Sequence, residues 1–392
     1  MAVSAASAGA ALKDHTKALS QRLNWVVDVR GFLAMYVMLH HAVLNIDTSG
    51  LQDTLWSFFH IVFGHGQFRV DIFFVLSGYC LTLGLRGATR ITHFQNFILR
   101  RSVRLFVPYL AGCAMTLLLV HFWLGSLSGT HWDYSLPVTE GSVVTHLLLI
   151  HNWWPQYAVT LNHPYWSIGV EYQLYWLFPL LLWIQHRLGP WKSLAVITLV
   201  GYALWRLSFK LHMGNPSSFG SSPYYWALFS MGISAARLGT AQSGRDARDV
   251  SLTDKLAMGL IVLLMGFWWG FECLHYHGHV ADPISSFFVG LTTLLVLLYG
   301  RQIGLFALVS KVWPRRLLRF VGERSFSLYL VHAPLLQVIW LLLVRPLHLH
   351  SAGEQVLLEM LAGSLLSLAI ADLFFRFIEQ PSHEWSRRLT AP

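Results

Sequence analysis

Charged residues are scarce in this chain. Asp, Glu, Lys and Arg make up 12% of its 392 residues, whereas 55% are hydrophobic. Because soluble domains carry roughly a quarter charged residues, this shortage excludes an ordinary soluble enzyme or binding module. It indicates a polytopic membrane protein, and the 17 Trp and 25 Phe residues fit that class, since aromatic side chains favour membrane surfaces.

Cysteine is rarer still, and the three residues present do not suggest a disulfide framework. The first 24 residues contain no apolar core of the length that a signal peptide needs, so we expect no cleaved leader. Neither a phosphate-binding glycine loop nor a Gly-x-Ser-x-Gly elbow is present. His275, His277 and His279 alternate in a short loop without a suitably spaced Cys or carboxylate, which favours a solvated loop and predicts no metal site.

Apolar segments divide the chain into about ten predicted transmembrane helices, each near the roughly 20 residues that a crossing needs. They lie at 26–46, 70–86, 105–125, 165–185, 193–210, 223–238, 256–272, 284–300, 324–344 and 355–376. The expected fold class is therefore all-α, with one membrane domain at 25–380 between tails at 1–24 and 381–392. The apolar stretch 143–151 is too short to cross and is expected to be re-entrant or interfacial.

Lys and Arg are unevenly distributed between the two sides of these helices. With the N-terminus inside, 24 of the 28 lie on the inner side, and the outer side keeps Arg69, Arg206, Lys210 and Arg345. This asymmetry predicts that both termini are cytoplasmic. Topology thus accounts for the net charge of +9 without a nucleic-acid partner, and the inner surface suits an anionic ligand or anionic lipid.

The first span carries two ionisable residues on one face. Eleven residues separate Arg30 from His41 in the segment RGFLAMYVMLHH, and three helical turns take about 11 residues. The two side chains therefore share a stripe, about 16 Å apart along the axis, whereas His40 is rotated by about 100°. Ionisable residues within a membrane helix are costly and are candidates for function.

Two further clusters combine charge with an apolar segment. Arg101 and Arg104 lie one turn apart after the second span, where they suit either a phosphate clamp or a membrane anchor. Glu171 shares a helix face with Ser167 and Tyr175 inside the fourth span. A carboxylate at that position is either functional or hydrogen-bonded to another helix, because it is unlikely to face lipid.

Two motifs are less specific. Ser77 and Gly78 in DIFFVLSGY are equally explained by close helix packing. Tyr329 and His332 in GERSFSLYLVH begin the ninth span, and a histidine on an apolar helix is more often a packing residue than a catalytic one.

Taken together, these segments resemble the acyltransferase-3 family of integral-membrane O-acyltransferases. The resemblance covers about residues 25–381 and rests on six segments in order: VVDVRGFLAMYVMLHH, VDIFFVLSGY, RRSVRLFVPY, YWSIGVEYQLYWLFP, GERSFSLYLVHAP and IEQP. It implies transfer of an acetyl or other short acyl group from cytoplasmic acyl-coenzyme A to a hydroxyl of a carbohydrate or glycolipid, commonly outside the cytoplasm. Acyl-coenzyme A is then a co-substrate, no permanently bound cofactor is implied, and the protein is expected in a plasma membrane or bacterial inner membrane.

The resemblance also implies roles for individual residues. The family's Arg-to-His spacing selects His41 as the catalytic histidine, acting either as a general base or as a covalent acyl carrier, and its Trp-Ser…Glu motif matches Trp166, Ser167 and Glu171. Because Glu171 lies at a similar depth in its own span, it is expected to orient or charge-balance His41 as the second catalytic residue. The residues expected to bind the acyl donor are Arg30, Ser77, Arg101 and Arg104. Those expected to bind the acceptor are Trp166, Ser167, Tyr175, Tyr329 and His332.

Three positions depart from the family pattern. Arg69 stands where glycine is usual, Phe326 replaces a tyrosine, and His40 places a second histidine beside His41. Two other functional classes remain open from the residues alone. A transporter or flippase also needs buried ionisable groups, although it often shows two related halves, and none are found here. A structural scaffold would not need Arg, His and Glu within its spans.

Overall fold

The computed structural model describes residues 24–46, 53–66, 68–85, 91, 93–210, 223–241, 251–275, 282–300 and 314–389. All regular structure in this part of the chain is helical, which confirms the all-α prediction. Of the predicted loop histidines, His277 and His279 lie outside the described residues.

Each of the ten predicted spans corresponds to a helix. These helices are α1 (Asn24–Leu44), α3 (Phe68–Gly84), α4 (Phe94–Leu119), α6 (Trp166–Leu188), α7 (Pro190–Lys210), α8 (Tyr225–Ala241), α9 (Leu252–His275), α10 (Pro283–Tyr299), α12 (Ser325–Ile339) and α13 (Ala352–Phe374). The described residues also form four shorter α-helices: α2 (Thr54–Phe63), α5 (Glu140–Leu147), α11 (Arg315–Glu323) and α14 (Gln380–Arg388).

Five helical segments within the described residues are long and apolar enough to cross a membrane. They are Asn24–Leu44, Phe94–Leu124, Leu252–Glu272, Ser325–Val344 and Ala352–Arg388. Large apolar side chains also point away from the protein core on these segments, with Leu263, Leu365 and Phe377 71%, 72% and 74% exposed. Such surfaces are stable against lipid and unfavourable in water, so the chain is a membrane protein.

Small residues allow α3 and α8 to pack closely. A methyl group at Gly78 would collide with the carbonyl of Phe229, and one at Gly232 would collide with the carbonyl of Val75. This confirms the packing interpretation for Gly78, because small residues let membrane helices approach each other. The same contact leaves the neighbouring Ser77 directed towards α6, where it donates to Glu171.

The connection between α4 and α6, residues 125–165, folds against α12. Near its start, Thr130 Oγ1 donates to Gln337 Oε1 at 2.9 Å. Near its end, Asn162 Nδ2 and the hydroxyl of Tyr165 both donate to the carbonyl of Leu330, at 3.2 and 2.9 Å. Both ends of this connection are therefore attached to the same helix, and the histidines beside them are held in place.

Two of the four histidines in this connection form a buried structural pair. The rings of His146 and His151 stack with centroids 3.9 Å apart. His146 Nδ1 donates to the carbonyl of Ser142 at 2.8 Å, and His151 Nε2 donates to that of Tyr165 at 3.1 Å. Burial lowers the pKa of His146 to about 4 and that of His151 well below its usual range. Both rings are therefore neutral and support the start of α6.

Candidate active site

A cavity of about 420 Å³ lies among α1, α3, α4, α6 and α12. Cavities of this size are in the range of small-molecule sites. Its lining includes eight of the residues selected from the sequence: Arg30, Ser77, Arg101, Arg104, Ser167, Glu171, Tyr175 and Tyr329. The fold thus brings positions that are up to 299 residues apart, between Arg30 and Tyr329, into one space.

Three arginines make one part of this cavity basic. Among the described residues, none of Arg30, Arg101 and Arg104 has a carboxylate oxygen within 4.0 Å. The guanidinium of Arg101 lies 5.9 Å from the ring centroids of both Phe97 and Tyr175, a geometry that positions it by cation–π attraction. Guanidinium groups gathered without a carboxylate partner favour an anionic ligand.

Two other carboxylates that line the cavity, Glu379 and Glu323, have partners of their own. Glu379 accepts from the backbone N–H of Ser327 at 3.1 Å and from its hydroxyl, which joins the IEQP segment to α12. Glu323 lies 3.6 Å from Arg324. These carboxylates are therefore engaged by α12 and its neighbour, and they do not neutralise the three arginines by direct contact.

Glu171 lies in the cavity wall and is held by two hydroxyl groups. Its Oε1 accepts from Ser77 Oγ at 2.9 Å and from the Tyr175 hydroxyl at 2.7 Å. The sequence-based expectation that Glu171 orients His41 is not met by these contacts. The reason is that α6 directs Glu171 towards α3, whereas His41 on α1 contacts α12.

Tyr329 and Ser167 close the end of the cavity that is nearest to the histidines. The Tyr329 hydroxyl donates to the carbonyl of Pro164 at 2.6 Å, so the Ser167 hydroxyl donates to the tyrosine oxygen at 2.7 Å. The Tyr329 ring lies 5.8 Å from the ring of His332, centroid to centroid. His332 is one helical turn further along α12, so the Tyr329 end of the cavity lies next to the His41–His332 pair.

His41 forms a hydrogen bond with His332 that determines which of its nitrogens carries hydrogen. His332 Nδ1 lies 3.0 Å from the carbonyl oxygens of Leu328 and Tyr329, so it must be the donor. Its Nε2 is then an acceptor and receives the Nδ1–H of His41 at 2.8 Å. In the neutral ring this leaves the lone pair of His41 on Nε2, which is the form that a general base requires.

His40 has a different environment, as the helical rotation predicts. Its Nδ1 donates to the carbonyl of Phe63 at the end of α2 at 2.6 Å, and its side chain is buried. His41 therefore contacts α12 while His40 contacts α2. This difference supports the choice of His41 over His40.

Two histidines that sequence reasoning missed lie beside His41. The rings of His163 and His131 are 4.8 and 6.0 Å from its ring, centroid to centroid. Both come from the α4–α6 connection, which carries four histidines, none of which was assigned a role from the sequence. Their proximity depends on how this segment folds back over α1 and α12, and no local pattern predicts it.

Trp166 and His332, both expected to bind the acceptor, do not line the cavity. Trp166 is 4% exposed and packs against the rings of Phe74 and Tyr225 at 6.4 and 5.8 Å between centroids. Its size and apolar surface place it in the core, where it positions the start of α6. His332 is instead bonded to His41, as described above.

Arg69 occupies a fully buried position between α1 and the start of α3. Its Nε donates to the carbonyl of Gly66 at 2.6 Å and its Nη1 to that of Tyr36 at 2.9 Å. The guanidinium also lies 4.3 Å from the centroid of the Tyr36 ring. This arginine therefore attaches the segment before α3 to α1, one turn away from His40.

The profile of the acyltransferase-3 family, described as an acyltransferase domain, matches residues 24–376. The chain belongs to this family. Phe326, another departure from the pattern of acyltransferase-3 sequences, lines the cavity.

Curated relatives are similar to this acyltransferase-3 chain over 81% of its length. OatA of Staphylococcus aureus, named an O-acetyltransferase, is 24% identical over 337 residues, which are 52% of that protein. OatA of Listeria monocytogenes, named a peptidoglycan O-acetyltransferase, is 23% identical over 342 residues, 51% of its length. YrhL of Bacillus subtilis, named as a candidate peptidoglycan O-acetyltransferase, is 25% identical over 342 residues, 50% of its length.

The chain spans about half the length of the curated relatives that it matches. No solved structure matches it.

We expect Glu171→Gln to lower turnover about tenfold or more while the protein remains folded and inserted. The amide keeps the volume of the carboxylate but removes its charge from a cavity that also holds three arginines, so the electrostatic balance of the site changes. Initial rates and thermal unfolding of the purified variant measure the two effects separately. Normal turnover with a lowered unfolding temperature would instead make Glu171 a structural bridge between α3 and α6.

Proposed function

We propose that this protein is a membrane O-acyltransferase that moves an acyl group from acyl-coenzyme A to a hydroxyl of a carbohydrate or glycolipid. The observation that carries the proposal is the cavity itself, with three arginines in one part and the Tyr329 end next to the His41–His332 pair. Membership in the acyltransferase-3 family supports the reaction class. The names of the relatives support a carbohydrate acceptor such as peptidoglycan.

The basic part of the cavity is suited to the donor. Coenzyme A carries several phosphate charges, and the forked donors of Arg30, Arg101 and Arg104 match phosphate oxygens. With its phosphates at these arginines, the acyl thioester points along the cavity towards Ser167 and Tyr329. Glu171, held by Ser77 and Tyr175, borders that path.

His41 supplies the proton chemistry in this proposal. Its Nε2 accepts the proton of the acceptor hydroxyl while the hydroxyl oxygen attacks the thioester carbonyl carbon. The carbon–sulfur bond then breaks, and the departing thiolate of coenzyme A takes the proton from His41. The alternative is that Nε2 itself attacks the thioester and carries the acyl group to the acceptor. An acyl-histidine found by mass spectrometry after incubation without acceptor would distinguish this second route.

The topology that accompanies this function has about ten crossings, a membrane domain at 25–380 and both termini in the cytoplasm. The donor is then bound from the inner side, and the α4–α6 connection faces outward with the acceptor. The proposal is supported by the uneven distribution of Lys and Arg and by the ten helices at the predicted positions.

Cysteine labelling tests this topology in a variant without native cysteines. Leu127 in the α4–α6 connection is 75% exposed. We expect Leu127→Cys to react with an impermeant maleimide in intact cells, and Ser310→Cys to react only after the membrane is permeabilised. Labelling of Ser310→Cys from outside would refute the proposed orientation.

The direct test of the function uses the full chain, purified and placed in lipid nanodiscs. It is incubated with acetyl-coenzyme A labelled in the acetyl group and with peptidoglycan fragments. We expect base-labile label in the carbohydrate, located on a hydroxyl by mass spectrometry, and release of one thiol per ester formed. If bound sugar or lipid crosses the bilayer of proteoliposomes without any acyl transfer, the protein is a transporter.

For the donor site, we expect Arg101→Ala and Arg104→Ala each to raise the KM for acyl-coenzyme A about tenfold or more, with little change in the KM for acceptor. Each loses charge-assisted hydrogen bonds, which are worth roughly 1.5–3 kcal/mol. Arg100→Ala is the matched control, because Arg100 is adjacent and exposed and does not line the cavity. If Arg101→Ala and Arg104→Ala show the same KM for acyl-coenzyme A as Arg100→Ala, Arg101 and Arg104 are only membrane anchors.

A further inference from the structure

The histidines around His41 form a group that the proposed reaction does not need. His41 on α1 and His131 and His163 in the α4–α6 connection each offer one ring nitrogen, and these nitrogens all lie within 4.8 Å of one another. The rings of His131 and His163 are 4.6 Å apart, centroid to centroid, and nearly perpendicular, at 81°. Three imidazoles that converge in this way are the donor set of many transition-metal sites.

The hydrogen bonds on the outer side of two of these rings match those of metal ligands. His41 gives its Nδ1–H to His332 Nε2 at 2.8 Å. His163 Nδ1 lies 3.1 Å from Ser135 Oγ, which also accepts the backbone N–H of His163 at 3.0 Å. Histidine ligands usually donate their second ring N–H to such an acceptor, which fixes the ring and directs the other nitrogen to the metal.

The backbone that carries these rings is also anchored. Trp132, next to His131, donates its indole N–H to the carbonyl of Leu124 at 3.1 Å. Asn162, next to His163, donates to the carbonyl of Leu330 on α12 at 3.2 Å. All three histidines are thus presented from fixed positions, which lowers the entropy lost when a ligand orders them.

We propose that His41, His131 and His163 bind a divalent transition-metal ion of the zinc type, and that this binding blocks acyl transfer. Neutral imidazole nitrogens suit Zn²⁺, Ni²⁺ and Cu²⁺ and not Mg²⁺ or Ca²⁺, which take oxygen ligands. Nitrogens about 2.0–2.1 Å from a tetrahedral zinc ion are about 3.4 Å apart. The three rings therefore close by up to about 1.4 Å on binding, and a water molecule takes the fourth position.

The inhibition follows from the lone pair of His41. In the neutral tautomer set by His332, this pair is on Nε2, and a metal ion bound there leaves no acceptor for the hydroxyl proton. This part rests on the proposed function, whereas the metal site itself does not. No metal site was expected from the sequence because the three ligands lie 90 and 32 residues apart, in separate segments.

Zinc binding is measured first, without reference to activity. The purified full chain is titrated with ZnCl₂ by calorimetry in the presence of a competing chelator. We expect one ion per chain in the wild type, and at least tenfold weaker binding in His131→Gln and in His163→Gln. The control carries His275→Ala, His277→Ala and His279→Ala together and should bind like the wild type. Unchanged binding in His131→Gln, no binding by the wild type, or loss only in the control would each overturn the site.

Inhibition is measured second, in the acyl-transfer assay. We expect added Zn²⁺ to lower the wild-type rate and a chelator to restore it. In His131→Gln, the zinc concentration for half-inhibition, relative to that variant's own zinc-free rate, should rise at least tenfold. Zinc that binds without slowing transfer, or a chelator that abolishes transfer, would overturn the inhibitory role. If no transfer occurs under any condition, the proposed function fails, and the calorimetric result stands on its own.

Discussion

We expect replacement of His41 with Ala to lower acyl transfer at least a hundredfold, and His40→Ala to keep a substantial fraction of it. Loss of a general base typically costs about 10²–10⁴ in rate. The structure supports the difference between these neighbours: His41 has its Nδ1–H bonded to His332, so its lone pair is on Nε2, while His40 is bonded to the end of α2. Initial rates of both variants in nanodiscs, at matched protein concentration, measure the effect.

His40→Ala and His41→Ala serve as controls for each other, because each removes one imidazole ring and the two positions are adjacent on α1. Both variants should insert normally, since an apolar substitution does not reduce the hydrophobicity of the span. Activity of His41→Ala equal to that of the wild type would refute the mechanism. A reversed pattern would transfer the role of base to His40.

We expect replacement of His332 with Leu to lower kcat by about 10- to 1,000-fold, less than the loss of His41 itself. Without His332 Nε2, nothing in the pair keeps the hydrogen of His41 on Nδ1, and a wrong tautomer of a catalytic histidine is costly. His332 is a positioning residue in this account, because it acts through its hydrogen bond to His41. Neither histidine lines the cavity. The KM for acyl-coenzyme A should therefore change little.

The conservative variant His332→Gln separates positioning from simple support of the fold. Its amide oxygen can still accept the Nδ1–H of His41, so we expect it to recover a measurable part of kcat. Thermal unfolding of both variants provides the structural readout. If His332→Gln and His332→Leu lose kcat equally while both remain as stable as the wild type, the hydrogen bond does not set the tautomer of His41.

Helix positions were predictable because the signal for them is local. A membrane helix must satisfy its own backbone and cover it with about 20 apolar residues. Each of the ten segments predicted on this basis corresponds to a helix, and five helical segments within the described residues are long and apolar enough to cross a membrane. The common face of Ser167, Glu171 and Tyr175 follows from the same local geometry, and all three line the cavity. The short helices α2, α11 and α14 were not predicted, since no long apolar run marks them.

Contacts between helices could not be predicted from such local patterns. The sequence alone did not show whether Glu171 contacts His41 or another group, and the structure shows that the packing of α6 against α3 brings it to Ser77. Trp166 belongs to a recognisable motif, yet only its burial beside Phe74 shows that it is in the core.

By itself, the sequence determined that this protein is an all-helical membrane protein, where its main helices lie, and which charged residues they carry. Hydrophobicity and helical periodicity act within about 20 residues, so these features can be read along the chain. Only the tertiary structure decided that His41 meets His332, 291 positions away, and that His131 and His163 join them. Those contacts depend on how each helix is rotated against its neighbours and on how the α4–α6 connection folds over them, which no short segment encodes.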